Sequence, residues 1–343
     1  MASFAHMILA IDTHTAGEPT RIVLSGIPPI PGATMAAKKH FMRQHLDHFR
    51  TLLMHEPRGH SDMFGAVLTP PTTPGSHYGL LFMDNAGYLD MCGHGTMSVT
   101  TALIETGMIP STAPETVVVF DTPAGVVEAH ARVEGQHVHE VSVTNVPSFL
   151  YARDVPLDLP TVGTVSVDVA FGGNFFALVQ AKALGVALHP DQRAQLIALG
   201  MLVKHAINAK LPVQHPTVPH ITTVELIEIY DQPVPSCPMV RNVVIYGHGH
   251  LDRSPCGTGT SAAMAARYAR GTLPIGVTFT SESILGTRFT GRLVREVQIG
   301  ECVAVQPVVT GEAYITGLQQ FVVDARDPVK YGFTVGNNAQ LAQ

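Results

Sequence analysis

Two short stretches of the chain, "MCGHGT" (residues 91–96) and "PCGTGT" (residues 255–260), contain the same frame, C-G-x-G-T. The sequence has 343 residues but only four cysteines, and two of these, Cys92 and Cys256, stand in this frame. Each frame is followed by small and apolar residues at helical spacing, which predicts a glycine turn that opens a helix. The repeated frame indicates that the chain is built from two similar halves.

The order of segments around the two turns is repeated as well. In each half a glycine-interrupted strand, "DTHTAGEPTRIVLSG" or "FGGNFFALVQA", precedes a helical stretch, two strands, the cysteine turn and its helix. The first helical stretch is predicted over residues 34–54. The helix after the second turn is rich in alanine between residues 262 and 266, and small residues suit burial inside a curved sheet. The sequence therefore predicts two strand sets, each arranged around one buried helix.

Length and composition limit the class of protein. A chain of 343 residues suggests about two domains, and 45% of its residues are hydrophobic. The net charge is −6 and no basic run occurs, so neither nucleic acid nor an anionic membrane is an expected partner. No apolar run reaches the roughly 18 residues of a membrane helix, and the first residues lack the basic flank of a signal peptide. We therefore expect a cytoplasmic protein.

The chemistry of the two turns follows from their position at helix N-termini. Free backbone N–H groups and the helix dipole favour an anion there, and they should lower the pKa of a cysteine at the same place. If the halves face each other, two activated sulfurs and two sets of amides meet in one cleft. This arrangement suits the transfer of an α-proton between the two faces of an amino acid, with Cys92 and Cys256 as base and acid. The amides would hold the carboxylate, and no cofactor is required.

Other interpretations of the cysteines stay open at this level. A single buried cysteine is usually a small hydrophobic residue. A redox pair would need C-x-x-C, and a phosphate site would be expected to carry a lysine after the turn, and both are absent from the sequence. Cys237 and Cys302 have no glycine or helix context and are interpreted as structural. The 18 histidines show no metal-binding spacing, so no metal site is expected.

Charged and polar residues beside the turns are candidate substrate ligands. Asp252 lies four residues before Cys256, where a carboxylate would repel a thiolate unless it had a partner. Binding the positive amine of the substrate is one role, and an ordinary turn carboxylate is the other. His94 and Thr258 occupy the variable position of the two frames, where each could donate to a carboxylate or cap the helix.

Several motifs together resemble the proline racemase family, which includes 4-hydroxyproline 2-epimerases and trans-3-hydroxyproline dehydratases. These motifs are "DTHTAGEPTR", "EPRGHSDMFG", "MDNAGYLDMCGHGT", "FGGNFFA" and "DRSPCGTGTSAA", and they extend from about Asp12 to about Ala263. The resemblance implies an α+β fold like that of diaminopimelate epimerase. That fold has two similar α/β domains, each a β-barrel-like sheet around a central helix, with the active site in the cleft between them. The implied domains are residues 1–144 plus 320–343, and residues 145–319.

The resemblance also implies the roles of individual residues. Cys92 and Cys256 would be the acid/base thiols, and Asp252 would bind the ring nitrogen. The carboxylate would be bound by backbone amides, those of Gly93, His94, Gly257 and Thr258. The family implies a homodimer that needs no cofactor and acts on a small molecule.

Cys256 bears on the choice of reaction, because the dehydratase branch of the family carries threonine or serine at this position. The resemblance thus favours racemisation or 2-epimerisation of proline or 4-hydroxyproline. Dehydration of trans-3-hydroxy-L-proline and non-catalytic binding of an imino acid remain alternatives. Phe64 and Tyr246 stand where family members vary with substrate. Phe64 favours plain proline, whereas the hydroxyl of Tyr246 could meet a ring 4-hydroxyl.

Overall fold

A computed structural model describes residues 4–232, 234 and 237–335. The first half contains eight strands and three helices in the order β1 (Phe4–Thr15), β2 (Glu18–Ser25), α1 (Met35–His45), α2 (Asp47–Met54), β3 (Phe64–Thr69), β4 (Tyr78–Asp84), β5 (Tyr88–Leu89), α3 (Gly93–Glu105), β6 (Glu115–Thr122), β7 (Gly125–Glu134) and β8 (His137–Thr144).

The second half repeats this order after one added strand. It comprises β9 (Phe149–Leu159), β10 (Gly163–Phe171), β11 (Phe175–Gln180), two 3-10 turns (Ala181–Leu184 and Pro190–Gln192), α4 (Arg193–Lys210), β12 (Val224–Asp231), β13 (Met239–Tyr246), β14 (His250–Asp252), α5 (Gly257–Ala269), β15 (Phe279–Glu282), β16 (Arg288–Ile299), β17 (Cys302–Gly311) and β18 (Ala313–Asp324).

Strand pairing confirms the internal repeat. In the first half β2 runs parallel to β3, β3 pairs antiparallel with β4, and β4 runs parallel to β6. In the second half β11, β12, β13 and β15 make the same three pairings in the same directions. Each set is completed by three consecutive antiparallel strands, β6–β7–β8 in the first half and β15–β16–β17 in the second. Each half is therefore one copy of the same supersecondary unit.

The halves are joined through strands at their borders. β8 pairs antiparallel with β17, which links the two sets into one 18-stranded hydrogen-bonded network within the described residues. β9 pairs with β10, and the C-terminal strand β18 returns to pair with β1 along its whole length. The exact domain boundaries given above stay a prediction.

The helices that follow the two cysteine turns form the centre of each half. Every residue of α3 from Gly93 to Ile104 is buried, and so is every residue of α5 from Gly257 to Arg267. Helix α3 packs against β1, β8 and β18, and α5 against the equivalent strands β10, β17 and β9. The hydroxyls of Thr96 and Thr100 donate to carbonyls one turn earlier, those of Cys92 and Thr96, so these two polar groups are satisfied in the core. The hydroxyl of Thr101 is buried without a hydrogen-bond partner among the described residues.

The helical stretch predicted over residues 34–54 is divided in the structure. Thr34 caps α1 through a hydrogen bond from the amide of Ala37. At Leu46 the backbone leaves the helical region, and α2 starts again with an Asp47–Arg50 ion pair. The break lets α2 bury a separate apolar face, which includes Phe49, against β4 and its neighbours.

Substitution at the centre of α3 should destabilise the fold. Val99 is fully buried there, so Val99→Ala should lower the free energy of unfolding by about 1–3 kcal/mol through lost burial and a residual cavity. Val303→Ala is the matched control, because Val303 is 56% exposed, and it should change stability by less than about 0.5 kcal/mol. Urea titrations measure both values, and equal losses would contradict the central position of α3.

Candidate active site

The two cysteine turns meet at their glycines. A methyl group on Gly93 would lie 2.8 Å from the Cα of Gly257, and one on Gly257 would lie 2.9 Å from the Cα of Gly93. No side chain fits at either position without a shift, so glycine lets the N-termini of α3 and α5 touch. Cys92 and Cys256 directly precede these glycines and therefore lie on either side of one small volume.

Each sulfur caps its own helix, but the backbones of the two cysteines differ. Cys92 Sγ accepts from the amide of Gly95 at 3.3 Å, and Cys256 Sγ accepts from the amide of Gly259 at 3.4 Å. Cys92 is extended at φ −147°, whereas Cys256 has φ 59°, a region that costs a non-glycine residue of the order of 1–3 kcal/mol. Ser254 Oγ accepts from the amide of Cys256 and helps to hold this strained turn.

Each sulfur also contacts the side chain two residues further on. Cys92 Sγ lies 3.2 Å from His94 Nδ1, and Cys256 Sγ lies 3.6 Å from Thr258 Oγ1. Burial lowers the pKa of His94 to about 3, so the imidazole is neutral and can accept a hydrogen bond from the Cys92 thiol. The variable residues of the two frames are thus direct neighbours of the thiols.

The expectation that the helix N-termini lower the thiol pKa values is wrong for this closed arrangement. Burial raises the pKa of both Cys92 and Cys256 well above the ordinary value, and the charge of Asp252 raises both further. The amides of Gly95 and Gly259 act in the opposite direction but are outweighed. In the closed cleft both sulfurs are therefore neutral thiols, because the cost of desolvating a thiolate exceeds the stabilisation by the helix.

Asp252 lies at the end of β14 and is 4% exposed. Its Oδ1 accepts from the amide of Ser254 at 2.8 Å, and burial raises its pKa to about 6. The carboxylate faces the same cavity as the two cysteines. It can therefore compensate a positive group placed between the two helices.

The cavity between the turns has a volume of only about 20 Å³. This is room for about one water molecule, so an amino acid can enter only if the cleft opens. All residues predicted for the site line this cavity. They are Phe64, Cys92, Gly93, His94, Tyr246, Asp252, Cys256, Gly257 and Thr258. Their roles stay predictions, but the fold brings every one of them to the same place.

Free amides face this cavity. The backbone N–H groups of Gly93, Gly257 and Thr258 have no hydrogen-bond partner within the described part of the chain. Orphan amides are normal in the first turn of a helix, and here they come from two helices at once. The arrangement can hold a carboxylate between the two thiols.

Apolar side chains form the rest of the wall. Leu89, Met91 and Leu226 line the cavity together with Phe64, whose ring packs 4.6 Å from that of His94. The hydroxyl of Tyr246 donates to Glu18 Oε1 at 3.0 Å. The proton of the Tyr246 hydroxyl is therefore engaged by Glu18, and the hydroxyl could meet a ring 4-hydroxyl only as an acceptor.

Sequence reasoning missed three buried polar residues around the site. Glu18 is fully buried and contacts Tyr246 and Arg253, and Asn174 contacts the backbone that leads into Cys92. Both residues stood within the motifs "DTHTAGEPTR" and "FGGNFFA". A polar residue after a glycine is typical of an ordinary turn, however, so no separate signal in the sequence marks these two residues.

The third missed residue is Glu228, which lies under the second turn. A methyl group on Gly259 would lie 2.7 Å from Glu228 Oε2, which explains why the frame needs its second glycine there. Burial raises the pKa of Glu228 to about 7. The corresponding glycine of the first turn, Gly95, instead faces the ring of Phe82.

Within residues 4–232, 234 and 237–335, no three His, Cys, Asp or Glu side chains come close enough to hold a metal ion. Over the same residues, no helix combines the length and the apolar character that crossing a membrane would need.

Comparison with known proteins defines the class. A family model described as proline racemase matches residues 10–334. The chain belongs to the proline racemase family.

Individual relatives agree with this assignment. A proline racemase from Clostridioides difficile is 51% identical over 96% of this chain and 98% of its own length. A trans-3-hydroxy-L-proline dehydratase from Burkholderia cenocepacia is 42% identical over 95% of this chain and 97% of its own. The crystal structure of a hydroxyproline epimerase from Agrobacterium vitis, with bound trans-4-OH-L-proline, superposes with a TM-score of 0.93. It is 34% identical and the match covers 97% of this chain and 96% of that one, which confirms the predicted fold.

The contact between the helix N-termini can be tested by adding one methyl group. Gly257→Ala should lower the free energy of unfolding by about 1–3 kcal/mol, because the methyl group must push α3 and α5 apart. Gly87→Ala is the matched control, since a methyl group at Gly87 meets nothing within 4 Å. Denaturant titration compares the two variants, and equal stability would show that the helices do not touch at these glycines.

Proposed function

We propose that the protein is an isomerase that racemises free proline by moving its α-proton between two thiols. The observation that carries the proposal is the position of Cys92 and Cys256, which flank one cavity at the N-termini of two facing helices. A carbon bound between them has one sulfur on each face. Removal of the proton on one side and delivery of a proton on the other inverts that carbon.

Substrate groups match the remaining features of the site. The carboxylate is held by the free amides of Gly93, Gly257 and Thr258, which also stabilise the charge that develops on it as the α-proton leaves. The amide of His94, the fourth predicted donor, faces Cys92 Sγ in the closed cleft. Asp252 binds the positive ring nitrogen. The chemistry needs no electron sink beyond the carboxylate and these amides, so we propose that the enzyme uses no cofactor.

The raised thiol pKa values fit this mechanism if one thiol ionises in the open cleft. Water then stabilises the thiolate, and the helix N-terminus lowers its pKa. Closure on the substrate removes the water and raises the basicity of the sulfur, which helps it to take a weakly acidic α-proton. The positive nitrogen of the substrate compensates the charge of the thiolate inside the closed site. Asp252 keeps this nitrogen in place.

Proline is the substrate that the ring pocket supports best. Its wall consists of Phe64, Leu89, Met91 and Leu226, and the donor of Tyr246 is bound to Glu18. A ring hydroxyl placed against these apolar side chains would lose its hydrogen bonds to water, which costs free energy. The 51% identity to a proline racemase supports the same choice. Retention of Cys256 favours inversion over dehydration.

Two further properties belong to this proposal. We propose a homodimer, supported by the exposed apolar side chains on the outer face of β1 and β18, such as Leu9, Leu318 and Val322. A cytoplasmic location is proposed from the sequence features alone.

A panel of three substrates in D₂O tests the function directly. L-proline should gain α-deuterium and lose optical rotation, with a higher kcat/KM than trans-4-hydroxy-L-proline. From trans-3-hydroxy-L-proline no ketimine should form. Cys92→Ser and Cys256→Ser should each lower kcat by about 10²–10⁴-fold, because each removes one acid/base group.

Cys302→Ser is the matched control for these variants, since Cys302 begins β17 away from the cleft, and it should keep normal activity. Near-normal activity in either cleft variant would contradict the two-thiol mechanism. Binding of proline without deuterium uptake would identify a binding protein, and ketimine release would identify a dehydratase.

The pKa of Asp252 predicts an acid limb in the pH profile. The carboxylate must be ionised to bind the ring nitrogen, and it loses its charge below about pH 6. The value of kcat/KM should therefore fall about tenfold per pH unit below that point. Asp252→Asn should lower kcat/KM and remove the limb, whereas Asp191→Asn, at an 89% exposed side chain, should keep it. A wild-type profile that stays flat down to pH 4.5 would rule out this role.

A further inference from the structure

Two hairpins of the internal repeat end in a glycine followed by a polar residue. In the first half, β1 and β2 are joined by Ala16 and Gly17, and Glu18 follows. In the second half, Gly173 precedes Asn174 between the equivalent strands β10 and β11. Both glycines have positive φ, 96° and 110°, a backbone region that glycine adopts without strain. The two hairpin ends are therefore equivalent parts of the two halves.

Glu18 crosses from the first half to the second. Its Oε2 accepts from the backbone amide of Arg253 at 2.8 Å, and its Oε1 accepts from the hydroxyl of Tyr246 at 3.0 Å. Arg253 stands three residues before Cys256. The buried carboxylate thus holds the peptide that leads into the second cysteine turn.

Asn174 crosses in the opposite direction. Its Oδ1 accepts from the amide of Asp90 at 3.1 Å, and its Nδ2 donates to the carbonyl of Met91 at 2.7 Å. Asn174 is 2% exposed, and the two contacted peptides immediately precede Cys92. One amide side chain therefore fixes both ends of the segment that leads into the first cysteine turn.

The glycines of the two hairpins pack against the segments that precede the two cysteines. A methyl group on Gly173 would lie 2.9 Å from the Cβ of Met91. One on Gly17 would lie 3.7 Å from the Cβ of Arg253 and 2.8 Å from Leu285 Cδ1. Each hairpin end therefore packs against the segment that precedes the cysteine turn of the other half. The hydrogen bonds of Glu18 and Asn174 are made to these same segments.

An ion pair next to Glu18 also joins the halves. Asp62, from the first half, lies 2.7 Å from the Arg253 guanidinium and 2.9 Å from that of Arg193. The segment before Cys256 is thus anchored to the first half by its backbone through Glu18 and by its side chain through Asp62. The segment before Cys92 is anchored to the second half by Asn174 and by the contact between Asp90 and His220 at 3.1 Å.

We propose that Glu18 and Asn174 are reciprocal positioning residues, each of which aligns the catalytic cysteine of the opposite half when the cleft closes. The proposal rests on the proposed function, because it assigns these residues to the alignment of the two thiols. Neither residue lines the cavity between the two cysteine turns. The contacts join the two halves, and an opening of the cleft wide enough for an amino acid separates those halves. The two thiols therefore reach opposite faces of one carbon only when both hairpins engage.

Shortened side chains test the proposal. Glu18→Asp keeps the carboxyl group but is one methylene too short to reach both partners, and Asn174→Ser cannot span both Asp90 and Met91. Each should lower kcat for proline at least about tenfold while KM changes less than about threefold, because closure and not first binding is impaired. Glu134→Asp is the matched control, since Glu134 also ends a hairpin strand but its side chain is 87% exposed. It should leave both constants unchanged.

Amide hydrogen exchange without substrate distinguishes these crossed contacts from a general loss of stability, which would accelerate exchange throughout the protein. Glu18→Asp should accelerate exchange at Arg253 by about tenfold or more, with little change at Asp90, and Asn174→Ser should do the reverse. If Asn174→Ser does not fold, the isosteric Asn174→Asp keeps the acceptor for Asp90 but loses the donor to Met91, and it should show the same pattern at smaller size. If Glu18→Asp does not fold, Glu18→Ala removes both contacts and should accelerate exchange at Arg253 in the same way.

The proposal would be overturned if amide exchange were accelerated only in the hairpin that carries the substitution. It would also be overturned if exchange were accelerated equally in the segments before Cys92 and Cys256. Unchanged kcat in both shortened variants would overturn it as well. The exchange pattern does not depend on turnover. If the wild-type protein fails to label proline in D₂O while the shortened variants show the crossed pattern, the proposed function is refuted and the reciprocal contacts are supported.

Discussion

The structure depends on one close contact, that between Gly93 and Gly257 at the N-termini of the two central helices. Because neither residue has a side chain, two helix ends with their free amides and two preceding cysteines converge on one volume. The strand sets that surround the helices are copies of one another, and their pairing fixes both helices in equivalent positions. The cleft is therefore a consequence of the repeat, since neither half contains a complete site.

Charge in this cleft is governed by burial more than by the helix ends. A helix N-terminus stabilises a thiolate in water, but in a closed cavity desolvation dominates and leaves Cys92 and Cys256 neutral. The same effect raises the pKa of Asp252 and of Glu228. Since closing the cleft raises the basicity of whichever sulfur is ionised, opening and closing would act on the chemistry as well as on access.

Much of this could be predicted from the sequence, for identifiable reasons. The repeated frame around Cys92 and Cys256 is a local signal, and the order of segments predicted two similar halves, as found. The end of α1 at Leu46 was not predictable, because no glycine or proline marks it. The predicted direction of the thiol pKa shift was wrong. The position of a cysteine at a helix N-terminus can be predicted from the local sequence, whereas its burial depends on the tertiary structure. Glu18 was missed because its partner Tyr246 lies 228 residues away in the chain.

The central claim is that two different thiols serve the two faces of one carbon. The direct measurement is the isotopic content of both proline enantiomers early in a reaction that starts from L-proline in D₂O. The account predicts deuterium at the α-carbon of nearly all D-proline formed, with recovered L-proline still carrying protium, because each thiol exchanges its own proton. D-proline that retains the original α-proton, or equal labelling of both enantiomers, would show that a single base serves both faces and would contradict the account.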